Sequence, residues 1–295
     1  MADQLRVCYP PDPNPRTPQF RTPPGTCDTH FHVFGPPEKF PYSSQRVYTP
    51  PAAPLEHYLA MAEIVGLHRG VVVTPMAHGT DNEATLDAIA RSKGRLLGMA
   101  KIDDSFSDKD LEQLHAGGIR GVRFNLIEAS GGAVNLPLFE RIADRIEGLG
   151  WCMCFHAMPD ELVEHAAWFP KLPTKVIIDH IGRISFELGV KQKPFQCLLD
   201  LARNEKMWIK TSGADRQKSR GFTMDDVVPY TIALAEIAPD RLIWGTDWPH
   251  GNIFKPNSIP NDGDLIDFLP KLMPDAAIRQ KILVDNPARL FGFAA

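Results

Sequence analysis

Cys27-Asp28-Thr29-His30-Phe31-His32-Val33 is a short β-rich run carrying two histidines two positions apart. On a strand, residues i and i+2 share a face, so both imidazoles point the same way near its C-terminal end. Outward from this run (27–33), similar runs recur at 70–75, 96–102, 119–125, 151–157, 175–181, 207–212 and 242–248. Helical patterns separate them at 55–65, 82–93, 109–115, 138–149, 161–168, 194–202 and 224–237, and two more at 265–272 and 276–283 follow the last run. Strands alternating with helices are the signature of parallel βαβ units. A doubly wound open sheet shares that alternation, but eight strands are the number that closes a barrel, so the expected fold is an α/β (β/α)8 TIM barrel.

Local signals agree with these boundaries. Thr80 with Glu83 fits a capping box, Ser107 is placed to cap the third helix with Asp110 in its first turn, and Gly117-Gly118 supplies its stop. Prolines at 10, 11, 13, 15, 18, 23 and 24 exclude helix and central strand, so residues 1–24 are expected as an extended arm on the surface, outside a single barrel domain at 25–295. The connection 34–54 is too long for an ordinary turn. In a barrel it emerges on the catalytic face, where it either lines the site or is a mere insertion; Tyr48 and Arg46 are its candidates for touching substrate.

At 295 residues, 43% hydrophobic and 23% charged, the chain can bury a sizeable core. A net charge of −4 without basic runs gives nucleic acid no field to follow. No apolar run is long enough to cross a bilayer and the first 25 residues lack the apolar stretch of a signal peptide, so a cytoplasmic location is expected. Five scattered cysteines, an odd number, read as free thiols. Neither a phosphate-binding glycine loop nor a serine elbow is present. Oligomeric state is not legible, although the proline-rich arm is suited to packing on a second copy.

The chemistry is expected at the strand ends. His30 and His32 on one face suit two ligands of a metal ion, and are equally compatible with two hydrogen-bonded histidines. His156 at the end of strand five, His180 at strand six and Asp247 at strand eight repeat the theme, and a barrel brings all five to one mouth. Cys152 and Cys154 alternate onto the face of His156; thiolate ligation is one reading, and small core fillers below the mouth the preferred one. Trp244 and Trp248 fall on the face opposite Asp247 and read as packing. Arg123, ending strand four, and Arg216, beyond strand seven, suit bidentate recognition of carboxylate or sulfonate, or surface ion pairs. Tyr48, Met76, His78, His250 and Asn252 are further candidates for substrate contact on catalytic-face loops, or else residues that hold the contacting side chains in place.

With Cys27-Asp28-Thr29-His30-Phe31-His32, Asp179-His180 and Trp244-Gly245-Thr246-Asp247-Trp248-Pro249-His250, the chain resembles amidohydrolase family 2 of the amidohydrolase superfamily. Within it, His78-Gly79-Thr80-Asp81-Asn82, Arg120-Gly121-Val122-Arg123-Phe124-Asn125 and Asp285-Asn286-Pro287-Ala288-Arg289-Leu290 make it similar to the 2-pyrone-4,6-dicarboxylate lactonases and 4-sulfomuconolactone hydrolases from Pro24 onward. The resemblance implies hydrolysis of a small anionic lactone in aromatic catabolism. Binuclear members carry a bridging lysine where Arg123 stands, which points away from two metals. The pyrone lactonases carry a tyrosine where His156 stands and work without metal; here the swap restores a ligand set of His30, His32, His156 and Asp247 for one divalent ion such as zinc. They also carry a second arginine where this chain reads Leu126-Ile127-Glu128-Ala129, and a serine at Met76, so the substrate is expected to differ. Asp247 is the expected general base, with His180 donating to the oxyanion or shuttling the proton; without a metal, the same histidines polarise the carbonyl. The rival activity is metal-dependent non-oxidative decarboxylation of an aromatic or muconate-type acid. A second rival is a barrel that has lost activity and serves as a binding protein.

Overall fold

The computed structural model describes residues 5–216, 223–255 and 258–293. Eight parallel strands run in the order β1-β2-β3-β4-β5-β6-β7-β8. They are β1 (Cys27–Phe31), β2 (Arg69–Val73), β3 (Leu96–Ala100), β4 (Ile119–Asn125), β5 (Cys152–His156), β6 (Lys175–Ile178), β7 (Met207–Lys210) and β8 (Leu242–Ile243). Helices α1 (Leu55–Val65), α2 (Glu83–Arg91), α3 (Asp108–Ala116), α4 (Leu136–Glu147), α5 (Pro159–Glu164), α6 (Lys193–Ala202) and α7 (Val228–Ile237) alternate with the strands. After β8 come α8 (Asp262–Leu272), α9 (Ala276–Gln280) and α10 (Asn286–Phe291).

The ring is closed between β8 and β1 by irregular bonds rather than by a regular ladder. Thr29 N–H donates to Trp244 O at 3.0 Å, Asp247 N–H to His30 O at 2.8 Å and His32 N–H to Trp248 O at 2.7 Å. Gly245 permits this approach: a Cβ there would lie 2.6 Å from His30 N. The predicted strand 242–248 is therefore a two-residue ladder with a bonded but irregular continuation. β6 likewise stops at Ile178, short of the expected 181, because His180, Ile181, Gly182 and Arg183 all adopt positive φ.

Two hydrophobic layers flank the sheet. Val71, Val73, Met99, Cys152, Cys154, Ile177 and Trp208 fill the barrel, while Val72, Met153, Phe155 and Ile178 pack outward on the helices. Cys152 and Cys154 are thus core fillers below the mouth, and Trp244 and Trp248 belong to the outer layer. Alternation along β1 is broken by a register shift between Asp28 and Phe31. Such a bulge adds a residue, so Cys27 packs inside the barrel while His30 and His32 still reach its axis.

The Ser107–Asp110 capping box forms as expected. The Thr80–Glu83 box does not: Asn82 is the N-cap residue, and Asp81 Oδ1 accepts from Glu83 N–H. Asn82 is engaged elsewhere, bonding Thr74 Oγ1 and the Lys101 backbone and so tying β2 to the end of β3. Among its described residues the N-terminal arm has no helix or regular strand, as expected, and it is bonded to the catalytic face. Cys8 N–H donates to Thr49 O, Thr49 N–H to Arg6 O and Tyr9 N–H to Ile253 O, and Cys8 is buried.

Candidate active site

Register places the polar residues in tiers above the apolar filling. Arg123 pairs with Cys154 and Asn125 with His156 across β4 and β5, while Lys210 at the end of β7 pairs with Ile243. On this tier lies a buried ionic floor, of which only Arg123 reaches the cavity. Lys210 Nζ is 2.7 Å from Asp179 Oδ1 and donates to His30 Nδ1 at 2.7 Å, and Arg123 Nε–H donates to Asp179 Oδ2 at 2.7 Å. Burial would raise the Asp179 carboxyl, but Lys210, His30 and Arg123 together hold it well below the ordinary carboxylate range.

Above the floor, His30 Nε2 and His32 Nε2 are 3.3 Å apart and lie 3.7 Å and 3.6 Å from Asp247 Oδ1. Arg216 Nη2 grips the other oxygen, Oδ2, and its Nη1 donates to Gly251 O at 2.7 Å. Burial works to raise the Asp247 carboxyl as well; Arg216 and the rings of His180, His32 and His30 overcome it and hold Asp247 ionised well below its usual range. The imidazoles shift the other way. Burial, reinforced by Lys210, pushes His30 well down; His156 is pushed well down by burial and Arg123; His180 falls to about 4 through burial, against the opposing Asp179 and Asp247. All three are neutral near pH 7.

Each of three rings is held through Nδ1: His30 by Lys210, His32 by Val73 O at 2.8 Å, His180 by Ser212 Oγ at 2.9 Å. This leaves the Nε2 atoms of His30 and His32 directed at Asp247 and one another. Among the described residues, the donor atoms of His30, His180 and Asp247 lie within 4.8 Å of one another, a group able to hold one metal ion. Buried nitrogen and carboxylate donors, oriented by outer partners, fit a divalent cation. Of the expected ligand set, His30 and Asp247 are in that group, His32 and His156 are not, and His180 takes their place. β5 stands across the ring from β1, and the His180 ring lies between, 4.9 Å from His30 and 5.6 Å from His156. His156 Nε2 is buried and has no protein partner among the described residues.

A cavity of about 520 Å³ opens above this cluster, lined by His32, His156, His180, Asp247, Arg123 and Arg216. Of the loop candidates, Tyr48, Met76 and Asn252 also line it. His78 and His250 do not. His78 Nδ1 is 3.2 Å from Pro41 O and its ring packs on Phe34 and Tyr42. His250 is fully buried, 3.1 Å from Asp262 Oδ1, and braces the loop after β8 against α8. Arg46 turns back to Ser43 O at 3.1 Å. The sequence reading missed Lys210 and Asp179 in the floor, and Arg6, Arg183, Asp215 and Lys255 in the walls. A lysine ending the apolar run Met207-Trp208-Ile209 was a usable signal, since lysine is rarely buried without a partner.

A closed ring of eight parallel strands with His and Asp at its C-terminal mouth is the architecture of an amidohydrolase, and the sequence model of the amidohydrolase family matches residues 27–293. The chain belongs to that family. It is 48% identical to the 4-sulfomuconolactone hydrolase of Rhizobium radiobacter, over 99% of this chain and 98% of the relative. It is 40% identical to the 2-pyrone-4,6-dicarboxylate hydrolase of Comamonas testosteroni, over 94% of this chain and 93% of that one. A crystal structure of a probable 2-pyrone-4,6-dicarboxylic acid hydrolase from Acinetobacter baumannii, with citric acid bound, superposes with a TM-score of 0.77 at 29% identity, covering 91% of this chain and all of that one. Among the described residues, no helix is long and apolar enough to cross a membrane.

Proposed function

We propose that this protein hydrolyses a polyanionic lactone of the sulfomuconolactone or pyrone-dicarboxylate type, in the breakdown of aromatic compounds. The observation that carries the reading is the single available oxygen of Asp247: with Oδ2 held by Arg216, Oδ1 faces His30 and His32 across 3.7 Å and 3.6 Å at the base of the cavity. The names of relatives at 40–48% identity support the lactone class.

Lactone opening needs a deprotonated water, a polarised carbonyl and a stabilised oxyanion. Asp247 Oδ1 accepts the water proton as oxygen attacks the carbonyl carbon, and the ring C–O bond then breaks with the proton returned to the departing oxygen. Arg123, kept rigid by Asp179, and neutral His156, whose Nε2 has no protein partner among the described residues, are placed to donate to the carbonyl oxygen. A zinc or similar ion held by His30, His180 and Asp247 would supply Lewis acidity at that carbonyl or acidify the water. The unbridged cysteines are consistent with a cytoplasmic enzyme.

The test offers the protein 4-sulfomuconolactone and an aromatic carboxylic acid. Proton release from the lactone without CO2 is expected, and Asp247→Asn should lower kcat/KM by about 10³-fold. CO2 evolution from the acid, or unchanged turnover by Asp247→Asn, would overturn the reading.

A further inference from the structure

We infer that Arg6, carried by the N-terminal arm, forms with Lys255 a second anion subsite at the cavity mouth, which selects lactones bearing a distal carboxylate or sulfonate. The ligand's identity rests on the lactonase reading; the placement of the cations does not.

The inner cations are already committed. Arg123 is paired with Asp179 and Arg216 with Asp247, so each meets a protein carboxylate before any substrate arrives. A substrate with two anionic groups therefore adds negative charge beyond what this inner pair already balances. Arg6 and Lys255 line the same cavity, and among the described residues neither is paired with a carboxylate. They are the natural complement for the outer charge.

Arg6 is also held in a pose that suits the task. Its backbone is anchored by Thr49 N–H donating to Arg6 O at 2.9 Å, and three residues on by Tyr9 N–H donating to Ile253 O at 3.0 Å. Its guanidinium carbon lies 3.8 Å over the ring of Phe254. Stacking occupies the guanidinium face and leaves its N–H edges, which are the part that pairs bidentately with a carboxylate or sulfonate. The two segments that anchor the arm, at Thr49 and Ile253, adjoin Tyr48 and Phe254, so the arm, the loop after β1 and the loop after β8 form one wall. Arg16, bridging Asp264 and Asp267 of α8, fastens the arm farther along.

The experiment compares steady-state kinetics on 4-sulfomuconolactone, which carries two anionic groups, and on muconolactone, which carries one. Arg6→Met should raise KM for the dianion about ten-fold with kcat within roughly three-fold, and leave KM for the monoanion within about two-fold. Arg6→Lys should recover part of the loss. An equal effect on both lactones, or an unchanged dianion KM, would overturn the subsite. Should the wild type turn over neither lactone, the lactonase reading fails, and the subsite is judged by calorimetric binding of isophthalate and benzoate. A preference for isophthalate that Arg6→Met abolishes supports it; no preference, or one that Arg6→Met leaves intact, overturns it.

Discussion

The floor and the outer wall of the cavity are both rich in charge, but the charges are arranged differently. In the floor, two cations, Lys210 and Arg123, flank the Asp179 carboxylate and the neutral His30 within 2.7–3.3 Å, and all but the rim of Arg123 is shut off from the cavity. In the wall, Arg6 and Lys255 face solvent and the cavity, with no carboxylate partner among the described residues. A floor tied together by its own ion pairs keeps its donors in place before substrate arrives, which is what stabilising a developing oxyanion requires. A wall with uncommitted cations attracts and sorts anions by number and position. Chemistry and selection are thus assigned to separate parts of one cavity.

The largest effect should come from breaking the floor's ion pairs. Lys210→Met removes one cation from a fully buried cluster and leaves Asp179 with only Arg123 and the neutral His30. Loss of one member of a buried ion pair typically costs about 3–5 kcal/mol, and the lower end is expected here because Arg123 remains. Denaturant unfolding measures this directly. Because both residues belong to one network, Lys210→Met and Asp179→Asn together should cost less than the sum of the two single changes. A double-variant cost equal to that sum would mean that the two residues contribute independently and that the floor is not one coupled unit.

Asp28 sharpens the contrast from beneath, because it is a buried carboxylate held by neutral donors. Its oxygens accept from Thr246 N–H and Oγ1–H, His30 N–H and Tyr58 O–H. Burial raises this carboxyl to about 6 in spite of those bonds, whereas Asp179 and Asp247, given cations, move down. A carboxyl raised on folding holds its proton more tightly in the native state. Its contribution is therefore full below the unfolded value near 3.8 and is lost as pH rises through about 6. Asp28→Asn removes that titration. The stability of wild type relative to the variant should fall by about 3 kcal/mol between pH 3.5 and pH 7.5. A pH-independent difference would mean that Asp28 is not raised.

The barrel and most of the chemistry at its mouth were legible in sequence because period and strand count announce them. α1 and β4 match their expected bounds residue for residue. What was not legible depends on backbone geometry that composition does not reveal. Four successive positive-φ residues end β6 at Ile178 and set the His180 ring between those of His30 and His156, so that His180 joins His30 and Asp247 in the donor group while His32 and His156 lie outside it. Asp247, His250 and Asn252 also take positive φ, so the loop after β8 turns His250 down to Asp262 while Asn252 reaches the cavity. Where the arm attaches was not legible for a related reason. Seven prolines exclude helix and central strand, but they do not exclude the isolated bridge between Val7 and Thr49 or the bonds that carry Arg6 to the wall.

The smallest expected effect tests the wall without touching a charge. Phe254→Leu keeps an apolar side chain beside the arm but removes the aromatic face on which Arg6 rests at 3.8 Å. An exposed cation–π contact is worth about 0.5–1 kcal/mol, so KM for a dianionic lactone should rise about two- to five-fold, with kcat unchanged. The Arg6 guanidinium would keep its charge and its backbone anchors while losing its fixed orientation. Added salt separates the two contributions, because long-range attraction is screened and geometric pairing is affected much less. The salt dependence of KM should therefore stay near that of wild type in Phe254→Leu and flatten in Arg6→Met. Equal flattening in both variants would show that the ring acts by setting the field at the mouth rather than by aiming the guanidinium.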